Sequence, residues 1–282
     1  MLSREEKNKV YVDEIRKEET IKISKRILKI FGIILLVFSL SFLYIYFIGP
    51  KGMEVHEYVI KDSSIPNSFH GIKVLHFTDL LFGKVIDNNY LDNLEEEIKL
   101  INPDIVFFTG NIVNKDYSIS EEEIKRINKL FKNIPYSIGK YTVRGDLDNH
   151  SFDLMMEDTS FTILDNETLE IHNNSVDKIS IIGLNVKDIK EIQNNDNYTM
   201  TLINNYDLYE NYQVDSNLVF AGHNLGGEIR FLNNPLLGND KYQDNYYENG
   251  NTRIFISNGL GTIHHMRLMN KPSMNIYRLY NK

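Results

Sequence analysis

Apolar and polar positions follow three different rhythms along this chain. Residues 30–48 run without a charge and are apolar all round, long enough to cross a hydrocarbon core about 30 Å thick. After Gly49-Pro50-Lys51-Gly52, a punctuated linker, short apolar runs alternate with helical spacing. Residues 55–60 and 72–78 predict strands. Leu91, Leu94, Ile98 and Ile101 fall on one helical face, so 89–101 predicts an amphipathic helix. Residues 105–109 form a continuous apolar run, as expected for a strand buried on both faces. Ile124, Ile127 and Phe131 predict a second helix, opened by Ser120 as N-cap with Glu123 three residues on.

A strand at 141–144 leads to a glycine loop and a short helix around 152–156. The second half is richer in strands, predicted at 161–164, 169–172, 179–184, 200–203, 218–221, 254–257 and 275–279. Strand–helix–strand units followed by a strand-rich half imply an α/β fold, two packed sheets flanked by helices. The Asn-rich stretches 194–197 and 233–251 are expected to be loops, and no internal repeat is evident.

Charge refines this picture. Lys22, Lys25, Arg26 and Lys29 precede the apolar run and only Lys51 and Lys61 follow it closely. The positive-inside bias therefore expects a cytoplasmic stub (1–29), a transmembrane segment (30–48), a linker (49–53) and an extracytoplasmic domain (54–282) at the cell membrane. The run ends in Tyr44, Tyr46, Phe47 and Ile48 with no small-residue cleavage site, which favours an uncleaved signal anchor over a signal peptide. The stub holds nine basic and six acidic residues, leaving 22 basic and 33 acidic beyond it, a net charge of −11. So acidic a body argues against nucleic acid as a partner, since phosphate binding needs a basic face. The chain has no cysteine, which excludes disulfides and thiolate metal sites.

Several strand-end loops carry motifs. They are Gly71-Ile-Lys-Val-Leu-His-Phe-Thr-Asp79, Asn102-Pro-Asp-Ile-Val-Phe-Phe-Thr-Gly110, Tyr141-Thr-Val-Arg-Gly145, and Ala221-Gly-His223 through Gly226-Gly-Glu-Ile229. Ile256-Ser-Asn-Gly-Leu-Gly261 follows, leading to Arg267. In order and spacing the region resembles the calcineurin-like metallophosphoesterase family, most of all its bacterial membrane-anchored branch. The resemblance implies a four-layer α/β/β/α sandwich preceded by one transmembrane helix, with a site at one edge of the paired sheets.

That family clamps a phosphoryl group between two cations and activates a bound water. The resemblance assigns Asp79 to the first ligand, with Leu81 where a histidine is expected. Asn111 falls at the carboxylate that bridges the two ions. Asp146 stands for the ligand Asn of the Gly-Asn-His-Asp signature and Leu147 for its catalytic histidine, while Asp148 is kept. Asn204 replaces a ligand histidine, His223 is kept, and Leu225 replaces its partner. Leucine offers no lone pair, and an amide lacks the charge that offsets repulsion between two dications. A binuclear centre is therefore not expected. Asp79, Asp146 and His223 remain as candidate ligands for at most one weakly held Mg²⁺ or Ca²⁺, ions that prefer oxygen donors. Asn111, Asp148, Asn204 and Asn224 are expected to line the pocket, and Leu81, Leu147 and Leu225 to fill it where they converge.

Three minor features stay open. Asn149-His150 is expected at the start of a helix, His264-His265 in a loop, and His223 could simply bond a carbonyl. Two functional readings follow. One is a catalytically impaired pseudoenzyme that binds, scaffolds or regulates at the cell surface, with a phosphorylated or cell-envelope ligand. The other is an active metal-dependent phosphoesterase, with a phosphomonoester, phosphodiester or lipid-linked substrate, that works through an altered site.

Overall fold

The computed structural model describes residues 3–212, 214–231, 234–236, 241–242 and 244–282. It divides into two compact units, Met1–Tyr46 and Phe47–Lys282. The first is helical. α1 (Arg4–Leu43) runs on into a π-helical turn, Tyr44–Ile48. The stretch Tyr11–Ile48 is long and apolar enough to cross a membrane. The helix begins well before the apolar run, which the hydrophobic pattern did not foretell. Residues 4–29 hold no glycine or proline and are rich in Lys, Glu and Arg, all good helix formers. Glu5–Lys9, Asp13–Lys17 and Glu18–Lys22 have the i,i+4 spacing that supports an exposed helix.

The second unit opens with β1 (Glu54–Lys61), β2 (Lys73–Phe77), α2 (Asn88–Ile101), β3 (Ile105–Phe108), α3 (Glu121–Asn133), β4 (Gly139–Thr142) and α4 (His150–Met156). It continues with β5 (Phe161–Ile163), β6 (Glu167–His172), β7 (Lys178–Leu184), β8 (Tyr198–Ile203) and β9 (Leu218–Ala221). The last strands are β10 (Arg230–Phe231), β11 (Asn234–Pro235), β12 (Tyr246–Asn249), β13 (Thr252–Ile256) and β14 (Ser273–Tyr280). Capping is as the residues predict: the Ser120 side chain accepts from the Glu123 amide, and Glu123 reaches back to complete a capping box. Asp87 caps α2, and Asn149 caps α4 with His150 as its first residue.

Two six-stranded mixed sheets form, in the orders β1-β14-β2-β3-β4-β5 and β12-β13-β9-β8-β7-β6. The period-two alternation of strand side chains sorts residues between layers. Leu75, Phe77, Val106 and Phe108 face α2, α3 and α4. Their neighbours Val74, Ile105 and Phe107 face the second sheet, where Met200, Leu202, Leu218 and Phe220 meet them. The outer face of the second sheet, with Ile203, Val219 and Ile254, is covered by Tyr206, Tyr209 and Tyr212. These tyrosines come from a 3₁₀ turn (Tyr206–Asn211) and its following loop. This is the α/β sandwich expected, with a thin fourth layer.

One expectation needs correcting. The stretch 233–251, read as a loop, lies partly outside the described residues but contains β12, which pairs antiparallel with β13. Asn249 pairs with Thr252, so Gly250-Asn251 is a two-residue hairpin turn, with Gly250 at φ 60°. Tyr246 and Tyr247 supply the strand propensity.

Candidate functional site

β2, β3 and β4 run parallel, as do β8 and β9, and ligand sites in open α/β sheets gather at such carboxyl ends. At those ends the chain turns through the left-handed region. Asp79 has φ 50°, Leu81 45°, Asn111 62°, His223 70° and Leu225 51°. A leucine held there costs roughly 1–2 kcal/mol, so the loops keep a strained path that neither leucine favours. The glycines keep the loops close. A Cβ on Gly110 would strike the backbone of Gly145, one on Gly145 the Asn111 amide, and one on Gly222 the side chains of Thr78 and Asp79.

Asp79, Asn111, Asn204 and Asp148 are buried and joined by hydrogen bonds. Asn111 Nδ2 donates to Asp79 Oδ1 at 2.8 Å and, more weakly, to Asn204 Oδ1 at 3.4 Å. Asp79 Oδ2 accepts from the His223 backbone amide at 2.8 Å and from Thr78 Oγ1 at 3.0 Å. Asn111 Oδ1 accepts from the Leu147 amide at 3.0 Å. Asn204 Nδ2 donates to Thr109 O at 2.6 Å, and its Oδ1 also takes the Asp146 amide at 3.4 Å. Asp148 braces the main chain, accepting from the amides of Gly145 (2.7 Å), Asn111 (2.8 Å) and Ile112 (2.9 Å).

Burial dominates the electrostatics of the two inner carboxyls. It raises Asp79, against the bonds from Asn111 and His223. It pushes Asp148 up to about 6, against its three backbone donors. At the mouth, His223 Nδ1 lies 3.2 Å from Asp146 Oδ1. Burial would raise Asp146, but the His223 bond and charge outweigh it and hold its carboxyl below the ordinary value. Asp79, Asp146 and His223 thus meet in one place, linked through main chain and side chain. Among the described residues no group of three or more His, Cys, Asp or Glu side chains is arranged to hold a metal ion.

The leucines do not share one environment. Leu81 and Leu225 are buried and press on the turn after β13, Leu225 against Gly259 and Leu81 against Gly261. Leu147 is only half-buried. Asn224 Nδ2 bonds Tyr242 O at 2.6 Å, which directs that amide to the tyrosine layer, while among the described residues its buried Oδ1 has no hydrogen-bond partner.

Two residues that support the site were not singled out as site residues from sequence. Buried Arg267 donates to Asn258 O at 2.8 Å and Gly261 O at 2.5 Å. Glu228, also buried, accepts from Thr262 Oγ1, the Ile263 amide at 2.6 Å and His264 Nδ1 at 2.5 Å. Both lie within the quoted motifs, and an Arg and a Glu in otherwise apolar, glycine-rich loops were the available signal.

No family model matches the chain. YkuE of Bacillus subtilis (strain 168), described as an uncharacterized metallophosphoesterase, is 30% identical over 269 residues, covering 84% of this chain and 88% of that protein. Cj0846 of Campylobacter jejuni, also described as an uncharacterized metallophosphoesterase, is 25% identical over 248 residues. That match covers 82% of this chain and 64% of the relative's length. Among solved structures, TT1561 of Thermus thermophilus superposes with a TM-score of 0.40 at 9% identity, covering 67% of this chain and 90% of that one.

Proposed function

Since the chain belongs to the metallophosphoesterase family, we propose that it is a non-catalytic member, anchored in the membrane by residues 30–48, that binds, scaffolds or regulates at the cell surface. The observation that carries this reading is the Asn111 amide, whose N–H meets Asp79 at 2.8 Å where a bridging carboxylate would have to present lone pairs. Two-cation catalysis needs anionic ligands between the ions and a general acid for the leaving oxygen. Here both oxygens of Asp79 already accept protein donors, and Asp148 is committed to three backbone amides. Asp146 and His223 face each other, and Leu147 has no proton to give. This donor set does not fit a pair of cations, so no hydrolytic step is derived from it.

The domain beyond 54 is extracytoplasmic in this reading, and its ligand is a phosphorylated or cell-envelope molecule rather than nucleic acid. A single Mg²⁺ or Ca²⁺ at Asp79, Asp146 and His223 belongs to the reading only as a weak guest that breaks the Asn111–Asp79 bond. Isothermal titration with no heat at millimolar cation removes it.

The rival reading, a hydrolase with an altered site, draws on the Asp146–His223 pair, which is partly exposed at the mouth. The test is turnover of bis-p-nitrophenyl phosphate and p-nitrophenyl phosphate by the full chain with Mg²⁺, Mn²⁺, Zn²⁺ and Co²⁺ in turn. We expect none above the blank. Turnover that Asp79→Ala abolishes overturns the non-catalytic reading.

A further inference from the structure

The first six-stranded sheet ends at β1, and among the described residues β1 has one strand partner, β14. The hydrogen bonds show which main-chain groups of β1 that leaves over. Glu54 N donates to Pro272 O at 2.9 Å, and Asp62 N to Tyr280 O at 3.1 Å. In a parallel ladder the N–H and C=O of one residue point the same way, and those of the next residue point oppositely. The even-numbered residues of β1 therefore bond β14, and the N–H and C=O of Val55, Glu57, Val59 and Lys61 project from the outer edge. Val59 is 54% exposed, and Glu57 and Lys61 beside it are exposed too. The register with β14 runs unbroken from Glu54 to Lys61. No proline or bulge blunts this edge, as edge strands often require.

Recesses flank the edge on both faces. Toward the second sheet, the Tyr58 ring centroid lies 5.4 Å from that of Phe255 and 5.3 Å from that of Tyr277. Tyr58, Ile60, Tyr246 and Phe255 line a hollow there. On the opposite face, Val59 and Lys61 line another with His70 and Tyr280. A strand added to β1 gains its main-chain bonds and sets successive side chains in the two hollows, which is how extended segments join a sheet.

The residues of the edge decide which strand fits. Antiparallel pairing of β1 with a second β1 sets odd positions against odd ones, since those carry the outward groups. With Val59 against Val59 on a two-fold axis, Glu57 meets Lys61 of the second copy and Lys61 meets its Glu57. On the other face Tyr58 meets Ile60. An axis at Tyr58 sets Glu57 against Val59, an axis at Glu57 sets two glutamates together, and an axis at Ile60 sets Lys61 against Val59. Only the Val59 axis matches both charges, at a cross-strand spacing where opposite charges attract and like charges repel. Glu57 also bonds Arg278 on β14, and a carboxylate has acceptor sites for a second cation. An edge that merely fended off other strands would carry charges that repel its own copy. Glu57 and Lys61, two residues either side of Val59, attract it.

We propose that β1 is the interface for a second copy of this chain, the two strands pairing antiparallel about an axis at Val59 to join the two first sheets into one. The pairs Glu57–Lys61, Val59–Val59 and Lys61–Glu57 each exchange two main-chain hydrogen bonds. The contact is self-complementary, so it closes at a dimer. It uses no residue of the Asp79 web and stands whatever that pocket binds.

The native chain has no cysteine, so Val59→Cys gives each copy one thiol set against its twin. Hydrogen-bonded antiparallel pairs hold their Cα atoms about 5.5 Å apart, within the range a disulfide spans. The full chain in detergent micelles is oxidised with copper phenanthroline, and the disulfide-linked dimer is measured on gels. Val176→Cys, 91% exposed between β6 and β7, reports random collision and is expected to link far less than Val59→Cys. Adding Glu57→Lys or Lys61→Glu to Val59→Cys sets like charges opposite at both ends of the ladder and is expected to lower the yield about ten-fold. An equal mixture of those two chains restores opposite charges in the mixed dimer and is expected to recover the yield. The double exchange in one chain should recover it as well. Recovery on mixing shows that the single exchanges fold and fail only to pair. Equal yields at 59 and 176, or a mixture no better than its components, overturns the interface. Dimers formed through the apolar helix alone would link at 59 whatever the charges at 57 and 61, and that outcome overturns it too.

Discussion

Asn111 Nδ2 donates to Asp79 Oδ1 across 2.8 Å, so the residue after the β3 loop glycine satisfies the carboxylate at the end of β2. The bond joins two neighbouring parallel strands at the edge where the family resemblance sets its ion ligands. It lies at the centre of a buried web in which a neutral amide does the holding.

Asn111→Asp tests that role. The change brings a second carboxylate onto Asp79 in a buried setting, and unpaired buried charge costs about 3–5 kcal/mol. Thermal unfolding at neutral pH should show this loss, with part of it recovered by millimolar Mg²⁺, Ca²⁺ or Mn²⁺. The wild type, which holds a cation weakly at most, should gain less. An equal rise in the wild type would mean the web already gives way to an ion.

Asp148→Asn tests the bracing carboxylate. Three backbone amides need acceptors, and an Asn side chain must turn its NH₂ toward at least one of them. The expected loss is about 1–3 kcal/mol, read from urea denaturation. The sign with pH is also set. Burial raises Asp148 to about 6, above its unfolded value, so its contribution is full below about pH 4 and fades as pH rises through 6. The gap between wild type and variant should narrow over that window.

His76 works in the opposite direction. It is buried between the sheets with Nε2 3.0 Å from Thr109 Oγ1, and burial lowers its imidazole to about 3. Stability from the neutral ring is present above about pH 6.5 and lost as pH falls toward 3. His76→Gln should flatten this acid limb. The difference between the two proteins, rather than either curve alone, isolates it from Asp148.

Lys140 carries a prediction away from the site. Its buried ammonium donates to Phe131 O at 2.8 Å and Ile134 O at 3.4 Å, closing the end of α3. The rings of Tyr136 and Phe161 each lie 5.1 Å away. Lys140→Met keeps the stem but orphans two carbonyls, and should cost about 1–3 kcal/mol. Hydrogen exchange should accelerate in the last turn of α3 before elsewhere.

Much of this fold could be read from side-chain rhythm, because a strand buried on both faces must be apolar throughout and an amphipathic helix must repeat every three or four residues. Residues 105–109 and the Leu91–Ile98 face declared themselves on those grounds. β12 was missed because its glutamate and asparagine hid the hairpin signal in Gly250-Asn251, which sits between Tyr246-Tyr247 and the apolar Ile254–Ile256 stretch. The candidate site was legible in which residues compose it, and illegible in how they are joined. Asn111, Asn204 and Asp148 arrive on loops from three strands, and only the turn geometry decides that Asn111 offers its N–H to Asp79 and its oxygen to Leu147. The split among Leu81, Leu147 and Leu225 has the same origin, since Leu81 and Leu225 find their partners in glycines 261 and 259, far from Leu81 along the chain.

At 81 and 225 the backbone holds φ angles of 45° and 51°, a shape that histidine adopts more readily than leucine. A designer who sets histidines at 81 and 225 to seat an ion therefore starts from main-chain curvature already suited to imidazoles. The work reduces to exchanging side chains and finding room for them beside two glycines, with no loop to rebuild.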